Sequence, residues 1–332
     1  MNPQRSAQRR RNMCRLRAAL LIVNIFLINN ALASIGDKSQ FYMQCLLECY
    51  SVSYVEFEVR VLPLDNSLLT WTCEDECSYT CMWDTVKQFT RHGFQVPQFH
   101  GKWPFLRILG LQEPASVLFS LLNFYAHVTM YRKFRRETRA DSPMALVWTY
   151  FTVVCLNGWF WSALFHARDR PFTEMMDYSC AFAIVVTLLY CMLLRIAHKS
   201  KAASAVITCA YLSILFTHLS HLWSGKINYG YNMKMNIFFG FLTFLITMIW
   251  WYYNSKKLRH AYLVGWFNIL TVSVTLLEVA DFPPYYWIFD AHSLWHAATA
   301  PLTVLLYRFM ILDCQYLRKH SNQVTLDHQL YN

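Results

Sequence analysis

Charge is what this sequence has least of. Charged residues make up 15% of its 332 positions, where a soluble domain carries about 25%. Hydrophobic residues make up 55% and aromatic residues 17%, so the polar side chains needed to cover a water-exposed globule are missing. The first 33 positions contain no acid. No Asn-x-Ser/Thr triplet occurs, and N-glycosylation is not expected. No internal repeat is present, which excludes solenoid arrays, and there is no low-complexity tract. The net charge of +10 suggests nucleic acid at first sight. Its distribution argues against such a partner, because Arg5, Arg9, Arg10, Arg11, Arg15 and Arg17 supply more than half of it within one short segment.

What is present is long apolar runs. Residues 1–33 combine that basic stretch with an apolar run at 18–28 and the small-x-small sequence Ala31-Leu32-Ala33. This is the layout of a cleaved signal peptide. A retained signal anchor is the alternative, but Asn29 and Asn30 interrupt the run. Residues 34–106 are polar and hold Cys45, Cys49, Cys73, Cys77 and Cys81. Seven apolar blocks follow at 114–131, 144–165, 178–197, 203–223, 235–253, 261–280 and 286–311. About 20 apolar residues cross a hydrocarbon core as a helix, and Glu113-Pro114 and Pro283-Pro284 punctuate the connections. The expected architecture is an all-α membrane protein with seven transmembrane helices and a small disulfide-rich luminal N-terminal domain. Its expected parts are a signal peptide (1–33), the luminal domain (34–106), the seven-helix domain (107–313) and a cytosolic tail (314–332).

Orientation follows from the short loops. Arg132, Lys133, Arg135, Arg136, Arg139, Arg195, Lys199, Lys201, Lys256, Lys257, Arg259, Arg308, Arg318 and Lys319 fall on one side. Only Arg168, Arg170, Lys226 and Lys234 fall on the other. The basic side is expected in the cytosol, which puts the N-terminal domain in the lumen and the C-terminus in the cytosol. Cysteines in that compartment are expected as disulfides rather than as a zinc knuckle. Five is an odd number, so one thiol is left over or pairs elsewhere, with Cys180 a possible partner, and the connectivity is open. Cys155, Cys191, Cys209 and Cys314 read as buried or membrane-proximal thiols.

Ionisable groups in spanning segments are costly and mark function. Ser162 and His166 lie one turn apart at the luminal end of the second block, and His292 and His296 lie one turn apart at the start of the seventh. Asp177 starts the third block at the same depth. Three histidines at one depth suit a catalytic zinc that keeps a fourth position for water. His166, His292 and His296 are the expected ligands, and Asp290 or Glu278 the expected partner for a ring's second nitrogen. Asp177 is the expected base, and Ser162 the expected donor to a developing oxyanion. His218 and His221 are further possible ligands, whereas His127, His198 and His260 read as interfacial residues at the cytosolic ends.

Several stretches resemble signatures of the Per-one-like family. They include Trp159 to Asp169, Met176-Asp177-Tyr178, Phe289 to His296, Val96 to Phe105, Glu113 to Ser116, Leu277 to Pro284 and Trp71 to Trp83. This family is placed in the CREST group of membrane hydrolases with alkaline ceramidases and adiponectin-type receptors. The group's pattern of SxxxH, Asp and HxxxH maps onto Ser162, His166, Asp177, His292 and His296. The resemblance implies zinc-dependent removal of the sn-2 acyl chain from GPI lipids, a phospholipase A2-type hydrolysis. GPI-anchored proteins would be its substrates, and a Golgi membrane its residence, with the endoplasmic reticulum as the alternative. One departure stands out. A further cysteine expected shortly after Cys49 is missing from Tyr50-Ser51-Val52-Ser53. The rival class is a receptor or folding factor with a structural metal; a G-protein-coupled receptor is disfavoured because the third block carries no Asp-Arg-Tyr motif.

Overall fold

A computed structural model of the chain describes residues 34–56, 71–225 and 228–330. The expected signal peptide lies outside them. The described residues form nine helices and no strand, and the chain divides into two compact units. One comprises Met1–Leu106 with Pro283–Ile288, and the other Arg107–Phe282 with Phe289–Asn332.

The first unit is a helical hairpin of α1 (Gln40–Glu56) and α2 (Cys73–Arg91). Thr72 starts α2 with a reciprocal cap: its hydroxyl accepts from the Asp75 amide and Asp75 accepts from the Thr72 amide. Glu74, Asp75 and Glu76 crowd the positive end of that helix, and Gly93 leaves its other end at φ 75°. Cysteines one turn apart on each helix form two rungs, Cys45–Cys81 and Cys49–Cys77. Cys73, half-buried, stands outside both rungs, and Cys180 is unbridged, buried in α5 (Pro171–Ala197). The odd thiol therefore has no bridge to either α1 or Cys180. The register explains it. Each rung joins positions that move oppositely along the two helices, so the next rung would join 73 to 53, and residue 53 is serine. The core is small, built on Tyr42, Leu46, Tyr50, Val86 and Phe99, and burial pushes the Tyr42 hydroxyl up to about 12. Trp287 of the Pro283–Ile288 strap packs edge-on to Trp83 at 5.0 Å.

The second unit contains α3 (Pro114–Glu137), α4 (Ala145–Ala167), α5, α6 (Lys201–Leu222), α7 (Tyr229–Asn254), α8 (Ala261–Val279) and α9 (Ala291–Leu330). Neighbour packing runs α3, α4, α5, α7, α8, α9 and back to α3, and α6 packs on the outside of α5. Five helices, α5 to α9, are long and apolar enough to cross a membrane. Their outer faces carry large apolar side chains such as Val206, Phe216 and Ile249 that only lipid would solvate well. Helices α3 and α4 have 24 and 23 residues, long enough to span. Helix α3 is less apolar because Ser116, Ser120, Asn123 and His127 form a buried stripe at helical spacing.

One helix boundary differs from the sequence reading. The third helix begins at Pro171, not at 178, because proline at the first helical position fits a helix start. Asp177 therefore sits in its second turn. The last helix, α9, continues to Leu330.

Two histidine assignments also change. His127 is buried and meets the Tyr307 hydroxyl at 3.1 Å, and that hydroxyl donates to Thr152. His260 meets Asp313 at 3.0 Å, and the buried Arg195 grips the same carboxylate through Nε and Nη2. Both histidines thus pair inside the helix bundle and are not interfacial, and Asp313 supplies the counter-charge that the buried Arg195 requires.

Candidate metal centre

Four short segments at one end of the second unit build the site: the start of α3, the end of α4, the end of α8 and the start of α9. The last turn of α4 leaves carbonyls without helical donors. The amides of Gln112 and Glu113 fill that need, donating to the carbonyls of Ala167 and His166 at 3.1 and 3.0 Å. This backbone pairing lays Glu113 beside His166. Pro114 then starts α3 at once. At α9, Asp290 and Ser293 cap each other reciprocally, the Ser293 amide donating to the Asp290 carboxylate at 2.9 Å. Asp290 is thus spent on the helix start. Of the two expected ring partners, it is Glu278, near the end of α8, that meets His292 Nδ1, at 2.6 Å.

His166, His292 and His296 bring one ligand nitrogen each to within 4.8 Å of the others. His292 Nε2 lies 2.9 Å from His296 Nε2 and 3.3 Å from His166 Nε2. Every Nδ1 faces outward to a partner: His166 to Glu113 Oε2 at 2.7 Å, His292 to Glu278 Oε2, and His296 to Ser120 Oγ at 3.2 Å. The His296 carbonyl is held as well, accepting from Asn123 Nδ2 at 2.7 Å and from Thr299 Oγ1 at 2.8 Å.

This donor set fits a divalent metal. Carboxylate oxygens accept, so Nδ1 of His166 and of His292 must donate. Their Nε2 atoms then carry lone pairs, and three lone pairs aimed at one point repel unless a cation or a proton lies between them. Zinc–nitrogen bonds of about 2.0–2.1 Å in tetrahedral geometry put ligand nitrogens about 3.4 Å apart, close to the separations seen. His166 and His296 are buried, while the His292 side chain is 34% exposed, which leaves one open face.

Ser162 is buried one turn before His166 and meets Ser120 Oγ at 3.1 Å. Asp177, half-buried, is outside the three-histidine group. His218 is elsewhere, stacked on Phe182 with ring centroids 3.6 Å apart and bonded to Asn232. His221 packs on Tyr231, and neither joins the cluster. Glu113 and Ser120 are the residues that sequence reading passed over. Glu113 was visible only as a helix boundary, and Ser120 only as one hydroxyl in an apolar block.

The model of the Per1-like family matches residues 63–314. Post-GPI attachment to proteins factor 3 of Drosophila melanogaster is 41% identical over 318 residues, covering 93% of this chain and 96% of that one. GPI-specific phospholipase A2-like PGAP3 is 38% identical over 311 residues in Mus musculus (92% and 97% covered) and over 297 in Homo sapiens (88% and 92%). No solved structure matches. Matched along most of its length by the family model and almost end to end by these relatives, the chain belongs to the Per1-like family.

Proposed function

We propose that this protein remodels GPI anchors, hydrolysing the sn-2 acyl ester of the lipid on GPI-anchored proteins with zinc held by His166, His292 and His296. The observation that carries the reading is the convergence of three Nε2 atoms whose Nδ1 atoms are each held from behind. The relatives' names supply the substrate class. The chemistry zinc supplies at such a site is Lewis acidity, which polarises an ester carbonyl and acidifies water.

The remaining work falls to the chain. Glu113 and Glu278 keep the imidazoles in the tautomer that offers Nε2. Ser162 donates a hydrogen bond to the oxyanion of the attacked ester. Asp177 takes the proton from the attacking water; it is given this role by the resemblance and by the end of the bundle it occupies. The four-helix-end placement of the basic residues, opposite the histidines, supports seven spans with the site on the luminal side. A GPI lipid lies in that leaflet with its glycan and protein outside, so a site there reaches the ester without extracting the lipid. Residence in the Golgi, or alternatively the endoplasmic reticulum, accords with this.

The test uses purified protein, metal analysis and acyl release from a GPI-anchored protein. Alanine at His166, His292 or His296 should remove bound zinc and activity together. Asp177→Asn should keep zinc and lose about 10²–10⁴-fold, and Ser162→Ala should keep zinc and lose about 10²–10³-fold. Full acyl release by both of the latter variants would overturn hydrolysis in favour of a structural metal in a receptor or folding factor.

A further inference from the structure

We infer that Ser120 is a positioning residue that aims the Ser162 hydroxyl at the substrate by way of His296. The inference rests on the hydrolase reading above and adds a residue to it. Three buried groups line up: His296 Nδ1, Ser120 Oγ at 3.2 Å from it, and Ser162 Oγ at 3.1 Å from Ser120. Ser120 is fully buried, and Ser162 is 6% exposed. With Nε2 of His296 turned to the metal position, the ring's hydrogen is on Nδ1 and must be donated. Ser120 Oγ is its acceptor. A hydroxyl has one hydrogen, and the acceptor in reach of Ser120's is Ser162 Oγ.

The direction of the whole chain is thereby fixed: His296 donates to Ser120, and Ser120 donates to Ser162. Ser162 cannot then donate back. Its own hydrogen has no other protein acceptor among the described residues, although a helical serine commonly bonds the carbonyl one turn earlier. A buried hydroxyl with its hydrogen uncommitted is a donor waiting for a ligand atom. Without Ser120, that hydroxyl is free to turn back to the α4 backbone, and the oxyanion loses a preset donor.

The test separates Ser120 from Ser162 by two readouts on purified protein. The first is kcat for acyl release; the second is the chelator concentration that removes half of the bound zinc. Ser162→Ala should lower kcat with an unchanged chelator midpoint. Ser120→Ala should lower kcat about tenfold, in line with losing one buried hydrogen bond, with KM unchanged. It should also lower the chelator midpoint about tenfold, since His296 loses the acceptor behind it. The double variant should have the kcat of Ser162→Ala and the chelator midpoint of Ser120→Ala. Ser120→Thr, which keeps the hydroxyl, should recover both. Additive losses in kcat, or an unchanged kcat in Ser120→Ala, would overturn the positioning role while leaving hydrolysis standing. Unchanged kcat in Ser162→Ala would remove the donor on which both the role and the oxyanion step depend.

Discussion

Replacing Glu113 or Glu278 by glutamine keeps an oxygen that can accept from imidazole Nδ1 and removes only the charge. The two carboxylates make nearly equal contacts, at 2.7 and 2.6 Å, but differ in surroundings. The Glu113 side chain is 5% exposed and that of Glu278 is 21% exposed. A charge's influence on a neighbouring cation grows as the local dielectric falls. Partners behind a metal-bound histidine are worth about 10–100-fold in affinity, or about 1.4–2.7 kcal/mol. Glu278→Gln is therefore expected near the tenfold end and Glu113→Gln near the hundredfold end. The assay is competition for zinc between purified protein and a graded chelator, with thermal melting as a second reading. Bound metal stabilises the folded state by mass action, so at one fixed zinc concentration the melting temperature should fall in the same order. A folded Glu113→Gln protein that holds zinc as tightly as the unaltered chain would refute the argument. So would the reverse order of the two variants.

Two further outcomes follow from the fold. Loops of 36 and 28 residues closed by Cys45–Cys81 and Cys49–Cys77 should each contribute about 3–4 kcal/mol to the first unit, so serine at either pair should sharply lower its protease resistance. Cys73→Ser should not, and an equal loss there would disprove the two-rung ladder. Asp313→Asn leaves the Arg195 guanidinium buried without its counter-charge and should cost about 3–5 kcal/mol, read as a lower melting temperature in detergent. Unchanged melting would show that the pair is not holding α5 to α9.

Much of the fold was legible because the relevant signals are periodic and long. Apolar blocks of spanning length mark the helices of the second unit, and His166, Ser162, His292 and His296 fall into step at helical spacing. The division of the chain after Leu106 also follows the change from polar to apolar composition. The strap Pro283–Ile288 was not legible, since it joins the first unit only through tertiary contacts such as the amide of Leu106 donating to the Trp287 carbonyl at 2.9 Å. Helix ends were misplaced where a local rule outranked hydropathy, as when Pro171 starts α5 ahead of its apolar stretch. Cysteine connectivity needed the register between two helices, which spacing along one helix does not supply.

Of the two carboxylates behind the histidines, Glu113 was the harder to read, and the reason is electrostatic. Glu113 stands immediately before α3, at the helix end that welcomes negative charge, so it reads as an ordinary boundary. Glu278 stands in the last turn of α8, at the helix's negative end, where a carboxylate is disfavoured. A residue that breaks a local rule without local compensation points to something outside its own helix, and here that is His292. Glu113 lies just outside the apolar blocks, whereas Glu278 lies inside the block at 261–280, where a carboxylate stands out. Yet a divalent cation among three neutral imidazoles would bring two positive charges into a low-dielectric bundle, at a cost of several kcal/mol for each uncompensated charge. Two carboxylates, one behind each of two of the histidines, would balance that charge while leaving the three Nε2 atoms to the cation. The close approach of the Nε2 atoms, at 2.9 and 3.3 Å, favours a positive charge at the point they share. Glu113 and Glu278 would thus do two jobs: they set the tautomer that offers Nε2, and they would make a cation's charge tolerable there.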